Sequence, residues 1–261
     1  MQPEIHVLGV DIKTFGVFFA LCFVAWGLLT GRRLRELGKP VDWAYEMVFT
    51  GLVGGIVGAR LYYLIQNYGD VKHDLVSNIF SGSGLVWYGG LLGGTVAIVI
   101  WARWRGFLEL ALLDIAGPGL ALGYAVGRIG CQVSGDGDYG IHSGVPWAMA
   151  YPKGEVPTTT EVHPTPIYET LSMGLVAWFL WRLRDRVRPG ALFAMYLVLG
   201  GIERFLVEFI RRNKEVAAGL TAAQIESLGL LVVGAVWVAL LVRSGGLVLS
   251  AARSSPRSAT A

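Results

Sequence analysis

The chain has 261 residues, of which 54% are hydrophobic and 16% are charged, whereas soluble domains average about 25% charged residues. Its formal net charge is only +3, and no basic face suited to nucleic acid is present, which excludes nucleic acid as an expected partner. The two cysteines, Cys22 and Cys131, have neither the spacing of metal ligands nor that of a disulfide framework. The composition therefore predicts an integral membrane protein.

Seven apolar segments reach or approach the roughly 20 residues that an α-helix needs to cross a bilayer. In chain order they cover residues 14–31, 46–66, 85–102, 109–127, 166–182, 190–210 and 224–243. The predicted fold is an all-α polytopic membrane protein with about seven transmembrane helices and a long outward-facing loop region. Residues 1–243 are expected to form a single transmembrane domain, and residues 244–261 a disordered cytoplasmic tail.

The basic residues indicate the orientation of these segments. The loops after the first, third and fifth segments and the tail are basic, with Arg32, Arg33, Arg35, Lys39, Arg103, Arg105, Arg182, Arg184, Arg186, Arg188, Arg243, Arg253 and Arg257. The loops over 67–84 and 128–165 carry only Lys72, Arg128 and Lys153, although Arg211, Arg212 and Lys214 after the sixth segment break the trend. Because basic loops stay on the cytoplasmic side, the N-terminus is expected outside and the C-terminus in the cytoplasm.

The polar stretch over 128–165 is long enough to be a functional loop over the outer mouth of the helices. It begins at Arg128, directly after an apolar segment, where an unpaired charge is costly. A lipid phosphate would suit this arginine, because a guanidinium group binds phosphate through two hydrogen bonds. Gly127 and Gly130 on either side would let another group approach the backbone. The alternative is an arginine that extends to the membrane surface, with the glycines serving only turns.

Three further groups of residues could carry chemistry. Arg204 and Glu208 are four residues apart and share one helix face, either as part of a site or as a structural ion pair. The glycine-rich start of the third segment, with Gly89 and Gly90, could present backbone N–H groups to an anion or serve helix packing alone. His163, Tyr168 and Glu169 lie around the start of the fifth segment, where Glu169 could instead complement the helix dipole. Arg60, inside the second segment, is a further charge that needs a partner.

Together these motifs resemble the bacterial prolipoprotein diacylglyceryl transferase family over about residues 15–240. The matching stretches are Gly58-Ala59-Arg60, Tyr88-Gly89-Gly90-Leu91, Gly127-Arg128-Ile129-Gly130-Cys131, His163-Pro164-Thr165-Pro166-Ile167-Tyr168-Glu169 and Arg204-Phe205-Leu206-Val207-Glu208-Phe209-Ile210-Arg211. The resemblance implies a seven-span enzyme of the bacterial plasma (inner) membrane. Such an enzyme moves the diacylglyceryl group of phosphatidylglycerol onto the thiol of the lipobox cysteine in a preprolipoprotein signal peptide, and glycerol-1-phosphate leaves. It implies no metal and no other cofactor.

The resemblance also implies roles for particular residues. Arg128 and Arg204 would hold the head group, and Glu208 would orient Arg204 or take part in proton transfer. The substrate-binding residues would further include Arg60, Gly89, Gly90, Gly127, Gly130 and Tyr168.

Two departures from the family pattern put the proton acceptor in doubt. The family's motif histidine is Tyr88 here, and a phenol with a pKa near 10 is a poor base at neutral pH but a good hydrogen-bond donor. The family's signature asparagine is Cys131. His163 and Glu169 are the fallback candidates for the base.

Two alternatives stay open. The substitutions at Tyr88 and Cys131 are compatible with a related lipid-modifying transferase that uses a different donor or acceptor. The other alternative is a non-catalytic lipid- or anion-binding membrane protein or a transporter, which gains no support from an internal repeat.

Overall fold

The computed structural model describes residues 1–7, 10–68 and 86–248. Seven α-helices lie in this part of the chain: α1 Thr14–Glu36, α2 Asp42–Gln66, α3 Trp87–Arg105, α4 Leu110–Ser134, α5 Thr165–Leu183, α6 Ala191–Val207 and α7 Ala222–Arg243. They coincide with the seven predicted segments. The helices α1, α2, α4 and α7 are long and apolar enough to cross a membrane, so the chain is a mostly helical membrane protein with four such helices.

Three short antiparallel hairpins accompany the helices. The strands are β1 Glu4–Val7 with β2 Val10–Lys13, β3 Met149–Tyr151 with β4 Thr158–Val162, and β5 Glu215–Ala217 with β6 Leu220–Thr221. The predicted loop over 67–84 lies almost entirely outside the described residues, and so does the predicted tail over 244–261 beyond residue 248. For residues 244–248 the prediction of disorder is wrong, because Val248 pairs with Val187 and the carbonyl of Leu247 accepts from the N–H of Arg188.

The fold divides into two compact units, Trp26–Leu112 and the combination of Met1–Ala25 with Leu113–Ala261. The expectation of a single transmembrane domain over 1–243 stays a prediction. In the Trp26–Leu112 unit, α2 and α3 pack through glycines at very short distance. A Cβ atom built on Gly58 would lie 2.3 Å from the carbonyl oxygen of Gly89, and one on Gly93 would lie 2.4 Å from that of Gly54. Such contacts between small residues let helix backbones approach closely inside a membrane.

In the other unit, α6 and α7 also pack through glycines. A Cβ atom on Gly201 would lie 2.9 Å from the carbonyl oxygen of Ser227, and one on Gly234 would lie 2.9 Å from that of Ala194. At the start of α4, Asp114 accepts hydrogen bonds from the backbone N–H groups of Gly190 and Phe193, at 2.7 and 3.1 Å. Asp114 thereby caps the N-terminus of α6 and joins α4 to it.

The end of α4 corrects the predicted start of the outer loop. The helix runs to Ser134, so Arg128, Gly130 and Cys131 are helical and the connection to α5 begins at Gly135. Gly135 has a φ of +64° and its N–H donates to the carbonyl of Cys131 at 2.9 Å, which is the usual way in which glycine ends a helix. The prediction that the helix ends at residue 127 is therefore wrong, because a polar sequence is compatible with a helix whose polar face is satisfied inside the protein.

The connection from Gly135 to Pro164 is folded rather than irregular. It contains the β3–β4 hairpin, and Tyr139, Tyr151 and Val162 form a small buried core. The rings of Tyr139 and Tyr151 stack with centroids 4.7 Å apart. Burial raises the pKa of Tyr151 to about 12, although its hydroxyl donates a hydrogen bond of 2.9 Å to Gln132. The hairpin is thus anchored on the end of α4.

The close packing of α2 and α3 predicts a selective effect of one methyl group. Gly58→Ala should lower the stability of the protein by about 1–3 kcal/mol, because the new Cβ would meet backbone that cannot move aside. The matched control is Gly229→Ala in α7, where an added Cβ meets nothing within 4 Å; it should be neutral or stabilising by up to about 1 kcal/mol. Thermal unfolding in detergent measures both, and equal stability of the two variants would contradict the packing.

Candidate functional site

Near the C-terminal end of α4, two faces of the helix contact different parts of the protein. Tyr124, Arg128 and Cys131 follow the spacing of one helix face. On another face, a Cβ on Gly130 would lie 2.6 Å from Phe18 Cβ, and one on Gly127 would lie 3.3 Å from Cys22 Sγ. The group that approaches these two glycines is therefore α1. Helix packing accounts for both, and a substrate-binding role for them rests on the resemblance alone.

Glu169, in the first turns of α5, is the centre of a cluster of charges. Its side chain is fully buried. Arg128 Nε lies 3.1 Å from Oε2, Arg204 Nη1 lies 3.3 Å from Oε1, and Arg211 Nη1 lies 3.3 Å from Oε2. The hydroxyl of Tyr124 donates to Oε1 at 2.7 Å and accepts from Arg128 Nη2 at 2.9 Å. One carboxylate thus gathers three guanidinium groups from α4, α6 and the segment after α6.

Asp138 is a second carboxylate of this cluster and bridges two of the arginines. It pairs with Arg128 Nη1 and accepts from Arg211 Nη2 at 2.6 Å. Burial by itself would raise the pKa of Asp138, but the charges of Arg128 and Arg211 and their hydrogen bonds hold that pKa below its ordinary value. Asp138 is therefore ionised and ties the folded connection after α4 to the cluster.

Glu208, in the 3₁₀ turn Glu208–Ile210 that follows α6, is the third carboxylate. Arg204 Nη2 lies 2.9 Å from its Oε2, which confirms the predicted pairing on one helix face. Its other oxygen accepts from Asn213 at 2.6 Å and from the hydroxyl of Thr221 at 2.8 Å. These two residues flank the β5–β6 hairpin, so Glu208 also fixes that hairpin at the start of α7.

The arginine network, which we define as Arg128, Arg204 and Arg211 with Asp138, Glu169 and Glu208, has no net formal charge. Its cations differ in accessibility. The side chain of Arg204 is 24% exposed, that of Arg128 is 13% exposed and that of Arg211 is 8% exposed. In the described part of the chain Arg204 Nε makes no hydrogen bond. Arg204 is thus the arginine best placed to meet a ligand without giving up its carboxylate partners.

His163 and Tyr168 form a separate chain of hydrogen bonds. Trp147 Nε1, which can only donate, lies 2.6 Å from Tyr168 Oη, and Tyr168 Oη lies 3.2 Å from His163 Nδ1. The tyrosine hydroxyl accepts from Trp147, and its hydrogen bond with His163 Nδ1 holds the imidazole ring in place. A role of His163 as the base stays a prediction.

The remaining predicted residues belong to the Trp26–Leu112 unit. Arg60 is buried and its guanidinium group lies over the ring of Tyr63, 5.1 Å from the centroid. Gly89 is in backbone contact with α2, and a Cβ on Gly90 would lie 3.4 Å from the carbonyl oxygen of Gly55. Packing explains both glycines. The side chain of Tyr88 lies outside the described part of the structure.

Three residues of the site were missed by reasoning from the sequence, although each leaves a signal there. Tyr124 precedes Arg128 by one helical turn, which places it on the same face. Arg211 follows Glu208 by three residues, the spacing of an ion pair. Asp138 lies among glycines and shows no periodicity, so only the folded connection reveals that it reaches Arg128.

Comparison with known proteins gives one consistent result. The model of the family described as prolipoprotein diacylglyceryl transferase matches residues 3–240. A relative from Clostridium tetani, named phosphatidylglycerol–prolipoprotein diacylglyceryl transferase, is 29% identical over 240 residues, which cover 90% of this chain and 95% of the relative. Relatives with the same name include one from Dehalococcoides mccartyi (strain BAV1), 32% identical over 85% of this chain and 86% of its own, and one from Leptospira interrogans, 30% identical over 78% and 73%.

The lowered pKa of Asp138 predicts a pH-dependent effect of Asp138→Asn. The ionised group stabilises the folded state fully above the unfolded-state pKa of about 3.9, and this contribution is lost as the pH falls through the folded-state pKa. The variant should therefore be less stable than the wild type at neutral pH, and the difference should shrink as the pH falls below the unfolded-state pKa. Melting temperatures at a series of pH values measure it.

The control for this experiment is Glu161→Gln, because Glu161 is an exposed residue of β4. Its profile should run parallel to that of the wild type. A stability difference for Asp138→Asn that did not depend on pH would contradict the ion pairs of Asp138.

Proposed function

This chain belongs to the prolipoprotein diacylglyceryl transferase family and is a transferase, and we propose that its arginine network binds the phosphate of phosphatidylglycerol. The diacylglyceryl group of that lipid then passes to the thiol of the lipobox cysteine of a preprolipoprotein, the first step of lipoprotein maturation. The observation that carries the proposal is the cluster of three arginines on a buried carboxylate, with Arg204 open on one edge.

The proposed reaction forms one bond and breaks one. The cysteine sulfur attacks the glyceryl carbon, the bond from that carbon to the phosphate oxygen breaks, and glycerol-1-phosphate departs with the electron pair. Negative charge grows on the departing phosphate, and preorganised guanidinium groups stabilise such charge. Arg204 would donate to the phosphate through Nε while Glu169 and Glu208 hold its other two nitrogens. Arg128 would supply the second positive charge.

The carboxylates are assigned to positioning in this proposal. Glu169 receives three guanidinium groups and one hydroxyl, and Glu208 receives Arg204, Asn213 and Thr221. Such contacts hold the three arginines in fixed positions before a phosphate binds. A free thiol has a pKa near 8.5, so a positive field beside the attacking sulfur would favour the reactive thiolate.

We place the protein in the bacterial plasma (inner) membrane with the network on the outer side. Arg128, Glu169 and Arg204 lie near the ends of α4, α5 and α6 that are opposite to the basic run over 182–188. Since basic loops stay cytoplasmic, the network faces outward, where a translocated signal peptide arrives. The N-terminus would then be outside, the C-terminus cytoplasmic, and α3, α5 and α6 would complete seven spans.

The arginines can be tested one at a time. Arg204→Ala and Arg128→Ala should each lower transfer about 10²–10³-fold, mainly in kcat, because each removes charge stabilisation from the departing phosphate. Arg204→Lys should also be impaired, since an ammonium group does not reproduce the guanidinium fork. The measurement is thioether formation on a lipobox peptide in membranes that contain phosphatidylglycerol, followed by mass spectrometry.

The matched control is Arg186→Ala, an exposed arginine at the opposite end of α5, which should leave transfer unchanged. Folded wild-type protein that produced no thioether with phosphatidylglycerol as the donor would overturn the proposed function. Complementation of a strain depleted of its own transferase provides the same comparison in cells.

Tyr88 is proposed to donate a hydrogen bond to the substrate phosphate. A hydrogen bond to a charged group contributes about 1.5–3 kcal/mol, so Tyr88→Phe should lower transfer roughly 10–100-fold. The control is Tyr45→Phe, which removes the hydroxyl of an exposed tyrosine in α2. Wild-type activity of Tyr88→Phe would exclude an essential hydroxyl at this position.

A related transferase with another donor or acceptor is the second candidate. Cys131 favours it, because Sγ lies 3.8 Å from Arg128 Nη1 at a position where the family has an amide side chain. A screen of donor lipids and acceptor thiols with the same assay separates the two enzymes. Lipid flux or binding without any covalent product would instead identify a transporter or a binding protein.

A further inference from the structure

A second feature of the α5–α7 bundle lies far from the arginine network. Residues of the three helices line an apolar cavity of about 390 Å³ that is open to the surface, within the size range of small-molecule and lipid sites. Its lining includes Phe179 of α5, Met195 and Leu199 of α6, Ala239 of α7 and Leu247. Lipid tails are as apolar as this lining, so hydrocarbon fills such a cavity inside a membrane.

The mouth of this cavity carries an arginine with an unusual set of partners. Residues 244–248 fold back after α7, and the N–H of Arg188 donates to the carbonyl of Leu247 at 2.9 Å. The guanidinium Nη1 of Arg188 donates to the carbonyls of Ser244 and Gly246 at 3.2 and 3.3 Å and to the hydroxyl of Ser244 at 3.3 Å. All of these acceptors are uncharged. Among the described residues no carboxylate neutralises Arg188.

The neighbourhood of Arg188 contains more arginines than acids. Arg182, Arg184, Arg186 and Arg243 lie at the same helix ends, together with the acids Asp185 and Asp114, and Asp114 accepts from the N–H groups of Gly190 and Phe193. Arg184 pairs with Asp185 at 3.6 Å, and Arg182 lies over the ring of Trp178. In the proposed membrane orientation, this excess of positive charge faces the cytoplasmic side. Anionic lipids give that leaflet a negative surface potential, and basic pockets between helices on that side bind their head groups.

The cavity lies deeper along the helices than their basic ends, as an acyl chain lies deeper in a membrane than its phosphate. Met195 lies four residues beyond the start of α6 at Ala191, and Ala239 lies four residues before the end of α7 at Arg243. At 1.5 Å per residue, each helix brings the cavity about 6 Å deeper than the basic end. Leu247 joins the two parts, because its side chain lines the cavity and its backbone is bound by Arg188.

We propose that Arg188 and this cavity bind one anionic phospholipid of the cytoplasmic leaflet, with its phosphate on Arg188 and an acyl chain between α5, α6 and α7. The site rests on the proposed membrane orientation but not on the proposed transfer reaction, since it lies at the opposite ends of α5 and α6 from the arginine network. The apolar cavity beside Arg188 favours a lipid over free phosphate, because free phosphate has no apolar part to bury there. A lipid held there would link the segment after α7 to the loop between α5 and α6.

The test measures lipid retention by the full chain in phosphatidylcholine nanodiscs that contain a minor fraction of phosphatidic acid. After release into detergent, native mass spectrometry counts the bound phosphatidic acid. Arg188→Gln should weaken retention about fivefold, the effect of about one basic side chain near a membrane surface. Ala239→Leu should lower retention at least as much by filling the cavity. Neither variant should change retention of phosphatidylcholine, and added glycerol phosphate should not displace the lipid.

Two matched controls make the result specific. Arg186→Gln removes an equal charge from an exposed neighbour of the same loop, and Val236→Leu enlarges an exposed side chain of α7 outside the cavity. Equal losses for Arg188→Gln and Arg186→Gln, or wild-type retention by Ala239→Leu, would overturn the proposal. Melting temperatures in neutral detergent check folding, and Ala239→Leu decides the question if Arg188→Gln does not fold. Lipid retention is measured without the transfer reaction, so failure of the protein to form a thioether would not change this result.

Discussion

Three guanidinium groups lie mostly buried at the ends of apolar helices, and the need to compensate their charge organises the part of the protein around them. Each carboxylate of the arginine network contacts at least two arginines: Glu169 contacts all three, Asp138 contacts Arg128 and Arg211, and Glu208 contacts Arg204 and Arg211. Removing one partner of a buried ion pair typically costs about 3–5 kcal/mol, because a charge is left without compensation. The network therefore fixes α4, the folded connection, α5 and α6 to one another.

This arrangement also explains how a site for an anion can exist before the anion arrives. Arginines that had to gather around a phosphate would lose conformational freedom and repel one another, whereas here Glu169 and Asp138 already hold them. The network is neutral as a whole, so binding depends on local geometry rather than on excess charge. In the proposed site Arg204 provides that geometry, because its side chain is the most exposed of the three and its two carboxylate partners contact Nη1 and Nη2.

Much of this architecture could be predicted from the sequence, and the failures share a physical cause. The lengths of the apolar segments located the seven helices of the described residues, and a four-residue spacing paired Arg204 with Glu208. The end of α4 was misplaced because hydropathy measures solvent preference, while the polar residues after position 127 are satisfied by contacts distant in sequence. Asp138 was missed for the same reason. Gly127 and Gly130 contact α1, which the sequence did not reveal, because a glycine's sequence context does not identify what approaches it; their substrate-binding role stays a prediction.

The arginines at the two ends of α5 and α6 are stabilised in two different ways. At one end the arginines are inaccessible enough that the protein must supply carboxylates of its own, and this creates a rigid, neutral and specific site. At the other end Arg188 is only partly buried and is held by backbone carbonyls and a hydroxyl, so its charge is left for the surroundings to compensate. These hydrogen bonds fix the position of the Arg188 side chain but do not compensate its positive charge. Among the residues that the structure describes no carboxylate compensates this charge, and in the proposed site beside the apolar cavity a lipid phosphate does so.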